Sequence, residues 1–423
     1  MSAVVLPRYG MGTAAIGNLY RAIADDEAEA TVAAALGAGI TYFDTAPHYG
    51  FGLAERRLGA ALAAHDAADR VCVSTKVGRV LVPTDATGTR HGFVDADPFE
   101  PLFQYDADSV RRSFDGSCAR IGRERIDILY AHDLGERTHG ADHPRHLAEF
   151  LDGGYPAMVA LRDAGMVGAI GIGVNEVAIC DALLDRIDLD VILLAGRFTL
   201  LDRSAAALLD RCAERGVRVV IGGPYNSGIL ASEPGKTGPD GAHYDYAAPD
   251  AAIIARTNAL AAACDRAGIA LPTAALQFPL THPAVACVIA GLAGTDQVDA
   301  MVTRMATAIP DAIWPTLTPT ESPTINQLIL LHPDDNVLIC VAPIAAGDVL
   351  PISGGTIPAR EGITVGHKVA RSTLSAGDKV IKYGAPIGSM TAAAGVGEWI
   401  HMHNMKSDYI ASHTRATVTE TRT

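Results

Sequence analysis

The chain has 423 residues, 49% of them hydrophobic and 19% charged. That composition excludes a disordered or low-complexity chain and leaves ample apolar surface for packed cores. The formal net charge of −14 argues against nucleic acid or an anionic membrane as a partner, and the length suits one large barrel followed by a small module.

Residues 9–14 open the pattern as a first strand. Asp25-Asp26-Glu27 then starts a helix with Ala28, Val32 and Leu36 at helical spacing, and Gly37 and Gly39 end it before a second strand at 40–43. Short apolar runs recur at 70–74, 126–131, 167–174, 190–195, 217–222 and 285–290. Helical stretches separate them near 53–64, 107–121, 155–164, 176–186, 203–214, 250–267 and 295–307. Eight strands, each followed by a helix, predict an α/β fold: a (β/α)8 TIM barrel over 1–307. Eight regular repeats without a long central break favour closure over an open doubly wound sheet. Two connections, 77–105 and 133–150, are long enough to overhang the C-terminal face of the barrel as substrate lids.

The pattern changes near 308. Four prolines with threonines and serines make 308–324 a linker. Residues 325–408 then read as a small all-β unit, in which Ala346-Gly347-Asp348 and Ala376-Gly377-Asp378 are near-identical turn signals. The polar, threonine-rich 409–423 is expected to be a disordered tail. Seven cysteines are scattered without a Cys-x-x-Cys pair, which suits buried thiols in a reducing, cytoplasmic setting. The N-terminal residues show no signal-peptide pattern and no apolar stretch is long enough to span a membrane, so a soluble chain is expected.

Four polar residues stand at or near the C-terminal ends of these apolar runs, where a parallel barrel builds its active site. Tyr49 as a phenolate could take a proton from an alcohol or sugar hemiacetal if its pKa, about 10 in isolation, were lowered. Lys76 would stabilise the phenolate, Asp44 would orient Lys76, and His132 would hydrogen-bond the reacting oxygen. The accompanying hydride needs a nicotinamide, because no side chain accepts one. Each residue alone has a duller reading: Asp44 as a cap, Tyr49 as loop packing, Lys76 as a solvated strand end, His132 as a core imidazole. Their four matching positions favour the site. His139, His143 and His146 have spacing that invites a metal, but no thiolate or carboxylate completes the set and the segment reads as a solvated polar loop.

Asp44-Thr-Ala-Pro-His-Tyr49-Gly, Ser74-Thr-Lys76 and Ala131-His132-Asp133 resemble the aldo-keto reductase superfamily over about residues 5–306. Gly10-Met-Gly12 and Gly171-Ile-Gly173-Val174-Asn175-Glu176 also fit, and neither glycine pair is a Rossmann fingerprint. With Ala195-Gly196-Arg197-Phe198-Thr199-Leu200-Leu201-Asp202, they point to the branch of D-threo-aldose (L-fucose) 1-dehydrogenases and their pyridoxal dehydrogenase relatives. The resemblance implies catalysis by Asp44, Tyr49, Lys76 and His132. It also implies NAD or NADP held by Gly12, Asn175, Gly223, Pro224, Tyr225, Gly228, Gly291, Gly294 and Gln297. This chain departs from the family's nicotinamide contacts. The family's Ser falls on Gly173 or Val174, Ala195 stands near its Gln, and Gly222-Gly223 replaces the stacking aromatic, for which Tyr225 is a candidate substitute. No cation follows the eighth strand and Asp296 would repel a phosphate dianion, so NAD is the expected cofactor.

Gly366-His367-Lys368-Val369-Ala370, Ile381-Lys382-Tyr383-Gly384-Ala385-Pro386-Ile387-Gly388 and Gly397-Glu398-Trp399-Ile400-His401-Met402-His403-Asn404 are similar to the SAF (β-clip) module of altronate and galactarate dehydratases. There the module accompanies a much larger domain that has no counterpart in these residues. The resemblance implies a large aldonate dehydratase subunit as partner. It makes His367, Lys368 and Lys382 candidates to grip an aldonate carboxylate, and His401 and His403, on one face of a strand, candidates for a divalent metal. The joint expectation is oxidation of an aldose at C1 to a lactone, which opens to an aldonate. Pyridoxal or another alcohol as substrate, or a non-catalytic nucleotide-sensing protein, are the alternatives.

Overall fold

Eight short parallel strands close on themselves in the first of two units, Met1–Pro319 and Thr320–Thr423. The computed structural model describes residues 4–231, 243–245, 247–318, 327–352 and 355–408. In chain order the strands are β1 (Tyr9–Gly12), β2 (Tyr42–Asp44), β3 (Cys72–Val77), a hairpin of β4 (Arg79–Pro83) and β5 (Phe99–Phe103), β6 (Ile126–His132), β7 (Val167–Val174), β8 (Val191–Ala195), β9 (Arg218–Gly222) and β10 (Val285–Gly291). The barrel runs β1-β2-β3-β6-β7-β8-β9-β10 and returns to β1. This is the expected TIM barrel.

Alternation along the strands sorts their side chains. Ile128 and Tyr130 of β6, Val191 and Leu193 of β8, Val220 of β9, and Cys287 and Ile289 of β10 form one buried cluster with Tyr42. The alternate positions, such as Leu129, Ile170, Ile172, Ile192 and Leu194, pack in a second cluster with helical residues such as Val110, Phe114, Leu208 and Leu209. Gly171 must be glycine, since a Cβ there would lie 1.8 Å from the Val191 carbonyl oxygen.

The principal helices fall within a few residues of expectation: Asp25–Gly37, Leu53–Ala64, Ala107–Ile121, Tyr155–Asp163, Val177–Leu184, Ala206–Arg215, Ala251–Arg266 and Thr295–Ala306. Two of them start on carboxylate caps, Asp106 accepting from the N–H groups of Asp108 and Ser109 and Asp250 from that of Ile253. A further helix, Leu271–Gln277, was hidden by its lack of a polar face; Leu271 to Leu276 are all buried.

The two long connections are structured rather than irregular. Residues 77–105 contain the β4–β5 hairpin. Residues 133–150 contain the short helices Glu136–His139 and His143–Glu149. The expected solvated loop is therefore corrected: His146 is buried, its ring 4.3 Å from that of His139 and 5.4 Å from that of Tyr105.

The start of the expected linker also packs on the barrel. Trp314–Leu317 forms one helical turn, Leu317 is buried in the barrel unit's core, and the Trp314 ring lies 6.1 Å from Phe278. Proline content suggested a linker, but Pro310 and Pro315 sit at a helix entry, where a missing N–H costs little. The rest of that stretch, 319–324, and the expected tail, 409–423, lie outside the described residues.

The second unit is all β, as a SAF module requires. Leu328–Ile329, Val337–Cys340, Lys368–Ala370 and Trp399–Ile400 make a four-stranded sheet; Lys379–Lys382, Ala385–Met390 and Met405–Ser407 make a three-stranded one; Val349–Ile352 pairs with Gly355–Pro358. The repeated Ala-Gly-Asp signal proves to be one device used twice. Asp348 accepts from the Ala345 N–H at 2.8 Å and Asp378 from the Ser375 N–H at 2.7 Å, and Gly347 and Gly377 both have positive φ. All seven cysteines are free, five of them buried. Among the described residues no single helix is long and apolar enough to cross a membrane.

Candidate active site

Strand register brings the four sequence-predicted residues together. Asp44 ends β2 and lies opposite Ser74 of β3; Lys76 lies opposite Tyr130 of β6, and His132 is the last residue of β6. Tyr49 follows β2 by five residues, at the start of a turn in which Gly50, Phe51 and Gly52 all have positive φ. That turn fixes where the phenol points.

The Lys76 ammonium donates to Asp44 Oδ2 at 2.7 Å and to the Thr45 carbonyl oxygen at 2.8 Å, and Ser74 donates to Asp44 Oδ1 at 2.7 Å. Lys76 and Asp44 are 1% and 2% exposed. So complete a shell makes the buried charges tolerable. Lys76 Nζ lies 4.5 Å from the Tyr49 ring centroid, and the Tyr49 and His132 rings meet edge-on at 6.0 Å. Gly173 of β7 borders the lysine stem, and a Cβ there would come to ordinary contact with Lys76 Cε at 3.4 Å.

Charge in the site differs from expectation in one respect. Burial first, then the Asp44 and Asp133 carboxylates, push the Tyr49 phenol well above its ordinary value, with Arg79 opposing. The expected lowering by Lys76 does not appear because its charge is matched at contact by Asp44. The phenol is therefore neutral at rest and poised as a proton donor. His132 is held well below the ordinary imidazole value by burial, Arg79 and Lys76, so it is a neutral ring. Its Nδ1 is buried without a partner among the described residues, while Nε2 lies 3.4 Å from Asp133 Oδ2.

Sequence reasoning missed the group around this tetrad. Arg79, the first residue of the hairpin, pairs with Asp133 and places Nη1 3.3 Å from both ring nitrogens of His48. The His48 ring lies 6.0 Å from His132 and 5.3 Å from Phe93, and burial followed by Arg79 and His132 keeps it neutral. His48 and Asp133 stand inside the quoted motifs, but Arg79 reaches them only because the chain bends at Gly78. No local sequence signal reports that.

The positions expected to hold the cofactor surround the same end of the barrel. Gly12 and Gly291 are register partners at the ends of β1 and β10. Ala195 and Gly222 are register partners at the ends of β8 and β9. Residues 8–319 match the aldo/keto reductase family, and residues 326–408 match the altronate/galactarate dehydratase SAF domain. The chain belongs to the aldo/keto reductase family. It is 40% identical over 320 residues to a pyridoxal 4-dehydrogenase of Microbacterium luteolum, covering 73% of this chain and 92% of that protein. It is 39% identical over 326 residues to a D-threo-aldose 1-dehydrogenase of a Pseudomonas species, covering 75% and 94%. An aldo-keto reductase structure from Bacillus halodurans superposes with a TM-score of 0.56 at 24% identity over 74% of this chain and 91% of that one, a likeness of fold.

Aldo-keto reductases use NAD(P)H. Among the described residues, Cβ atoms at Gly228 and Gly291 would meet nothing within 4 Å. The helix Thr295–Ala306 has Gly294 at its N-cap with no side-chain cap, and its first-turn N–H groups favour an anion. These features fit a dinucleotide. Others are already engaged. The N–H groups of Asn226 and Gly228 bond within their own turn at 3.0 Å, and Gln297 Oε1 accepts from the Ala293 N–H at 2.9 Å. The carbonyl of Asn175 accepts from Arg197 Nε at 2.6 Å. Tyr225, considered as a replacement stacking ring, accepts from Arg304 at 3.0 Å and so is held toward the helix after β10. The expectation of no cation at the eighth strand also changes. Arg21, distant in sequence, reaches the Ala293 carbonyl oxygen at 2.9 Å while pairing with Glu27.

The two histidines expected to help hold a metal do not share a strand face. Strand Trp399–Ile400 ends before His401, so His401 and His403 lie in a turn instead of alternating along a strand. Both pack on Trp399, at 5.4 and 5.0 Å between ring centroids. Among the described residues no group of three or more His, Cys, Asp or Glu could hold a metal ion.

Proposed function

We propose that the barrel oxidises an aldose of the L-fucose or D-threo-aldose type at C1 to the lactone, with NAD(P) as acceptor. The C-terminal unit then serves as a small-subunit-like module of an aldonate dehydratase whose large subunit is a separate chain. What carries this reading is the joining of a reductase-family barrel to a dehydratase-type SAF unit, because a lactone opens to the acid that such a dehydratase would consume. The aldose 1-dehydrogenase relative supports it, and seven free thiols suit a reducing cytoplasm.

The chemistry assigned to the residues follows from their environment. Tyr49, once ionised, accepts the C1 hydroxyl proton; neutral, it returns a proton in the reverse direction. Neutral His132 hydrogen-bonds the reacting oxygen, and the Lys76–Asp44 pair holds a fixed ammonium against the Tyr49 ring. The bound nicotinamide supplies the hydride acceptor. His48, Arg79 and Asp133 give the rim a polar lining suited to sugar hydroxyls.

A second reading, pyridoxal or a related alcohol as substrate, is favoured by the 40% identical relative. NADH or NADPH formation with L-fucose, D-arabinose and pyridoxal, for wild type and Tyr49→Phe, separates the two. Turnover of pyridoxal alone replaces the aldose reading, and turnover of none returns the chain to a non-catalytic nucleotide-binding role. Equal rates for the Phe variant would remove Tyr49 from the mechanism. Co-purification with a large dehydratase subunit tests the C-terminal module.

A further inference from the structure

Three adjacent barrel strands carry a hydroxyl one step below the catalytic residue near their end. Tyr42 precedes Asp44 by two positions on β2, Ser74 precedes Lys76 on β3, and Tyr130 precedes His132 on β6. Residues two apart on a strand share a face, so each hydroxyl lies on the same side as the catalytic residue after it. All three side chains are fully buried, and the two tyrosines pack with Ile128, Val191, Leu193, Val220 and Ile289. In so apolar an interior a hydroxyl needs a partner, because burying one unpaired is costly.

The three pair with one another. Ser74 donates to Asp44 Oδ1 at 2.7 Å, the Tyr42 hydroxyl lies 2.9 Å from Ser74 Oγ, and the Tyr130 hydroxyl lies 3.3 Å from that of Tyr42. Each hydroxyl has a single proton to donate. Since that of Ser74 goes to Asp44, Ser74 accepts from Tyr42, and Tyr42 in turn accepts from Tyr130. Both phenols keep their protons. Burial first, then Tyr130 and Asp44, push Tyr42 well above its ordinary value, and burial raises Tyr130 against the opposing hydrogen bond from Tyr42. All three O–H groups therefore point along one line toward one carboxylate, and each bond accepted strengthens the next one donated.

We propose that Tyr130, Tyr42 and Ser74 form a donor chain that fixes the Asp44 carboxylate against Lys76, which makes Tyr42 and Tyr130 positioning residues for the reaction at Tyr49. The chain reaches the phenol only through Asp44 and Lys76, whose ammonium lies 4.5 Å from the Tyr49 ring. With the chain cut, the carboxylate loses its outer support and the ammonium its fixed place. The inference requires aldo/keto reductase chemistry in the barrel and is indifferent to whether the substrate is an aldose or pyridoxal.

The test is a mutant cycle on the full-length protein, with para-nitrobenzaldehyde as substrate because an activated aldehyde needs no sugar-specific contacts. Single-turnover oxidation of bound NADH or NADPH reads the chemical step. Tyr42→Phe and Ser74→Ala each remove one oxygen atom. Ser74→Ala should slow the step by about tenfold or more and Tyr42→Phe by about three- to tenfold, while Kd for the coenzyme changes by less than about twofold. Tyr130→Phe, which cuts the longest link, should slow it by about twofold. In the Ser74→Ala background Tyr42→Phe should slow it no further, because the link through which it acts is gone. A packing defect would slow it in both backgrounds. Should Ser74→Ala fail to fold, as judged by circular dichroism, Tyr130→Phe with and without Tyr42→Phe supplies the same cycle. An unchanged rate in Tyr42→Phe, equal losses in both backgrounds, or a loss confined to coenzyme affinity would overturn the chain. So would a wild type that reduces no aldehyde with either coenzyme. Reduction of the aldehyde without oxidation of L-fucose or D-arabinose would remove the aldose reading alone, and the cycle would still decide the chain.

Discussion

The Tyr105 hydroxyl donates to the backbone carbonyl oxygen of His132 at 2.6 Å, tying the hairpin connection to the end of β6. The contact depends on Gly78, where φ is +102° and a Cβ would lie 2.3 Å from Tyr105 Cε1. Tyr105→Phe leaves the buried carbonyl without this donor and should cost about 1–2 kcal/mol of stability. We expect it to lower kcat about tenfold as His132 loses its anchor, a rate loss equivalent to about 1.4 kcal/mol. Gly78→Ala should be worse on both counts, since strain and overlap act together. Thermal melts and steady-state kinetics check both variants, and unchanged kcat in Tyr105→Phe would show that His132 is positioned by β6 alone.

The Asp44–Lys76 pair allows stability and activity to be pulled apart. Both side chains are 2% exposed. Asp44→Asn leaves a buried ammonium unmatched and should destabilise by about 3–5 kcal/mol. The double variant Asp44→Leu, Lys76→Met removes both charges, so it should regain much of that stability while remaining inactive. If the double variant kept substantial activity, the ammonium beside Tyr49 would have no role in the reaction.

Much of this was legible in the chain. Apolar runs of the right spacing gave the barrel, and Asp44, Lys76 and His132 were visible because each ends a run. Arg79 was not. Its partnership with Asp133 and His48 is made by a hairpin whose existence no periodicity announced, since β4 and β5 face neither core with a clean alternation. Arg21 was hidden for a different reason, because its contact with Ala293 spans 272 positions. The sign of the Tyr49 shift also escaped. Lys76 could be placed beside the phenol from the motifs, whereas the depth of burial and the nearness of Asp133 could not.

The opposed effects of Asp133 and Arg79 on Tyr49 predict a pH signature. Oxidation needs the phenolate, and the phenol's value is raised well above 10. The rate should therefore climb with pH through the neutral range without levelling. Asp133→Asn removes a charge that disfavours the phenolate, so its rise should move to lower pH, by something on the order of one unit. Asparagine also tolerates the positive φ at this position. Arg79→Leu should move the rise the other way. Profiles of kcat/KM for oxidation decide the matter, and shifts of the same sign in both variants would rule the assignment out.

Acid should destabilise the barrel through its buried imidazoles. Burial lowers His48 and His132 well below the ordinary histidine value and His139 to about 4. In the unfolded chain each binds its proton near pH 6.5. Stability is thus fully present above that pH and falls as pH drops toward the folded values, because the unfolded state gains protons first. Melting temperature should decline between about pH 6.5 and 4. His139→Asn should flatten that decline, and an equal slope in wild type and variant would mean that other groups govern acid unfolding.

Arg21 and Asp296 make coenzyme choice a contest that kinetics can read. Asp296 lies in the exposed first turn of the helix after β10, where it would repel a phosphate dianion. Arg21 stands at the preceding Ala293 carbonyl, but Glu27 at 2.8 Å already takes up its charge. The repulsion is therefore expected to win, and NAD to be preferred. Asp296→Asn should lower KM for NADP by about three- to tenfold and leave that for NAD nearly unchanged, as expected for loss of one exposed like-charge contact of about 1 kcal/mol. Arg21→Ala should have little effect on either coenzyme. A marked loss of NADP binding in Arg21→Ala would instead show that the arginine leaves Glu27 for the phosphate, and that this barrel is built for NADP.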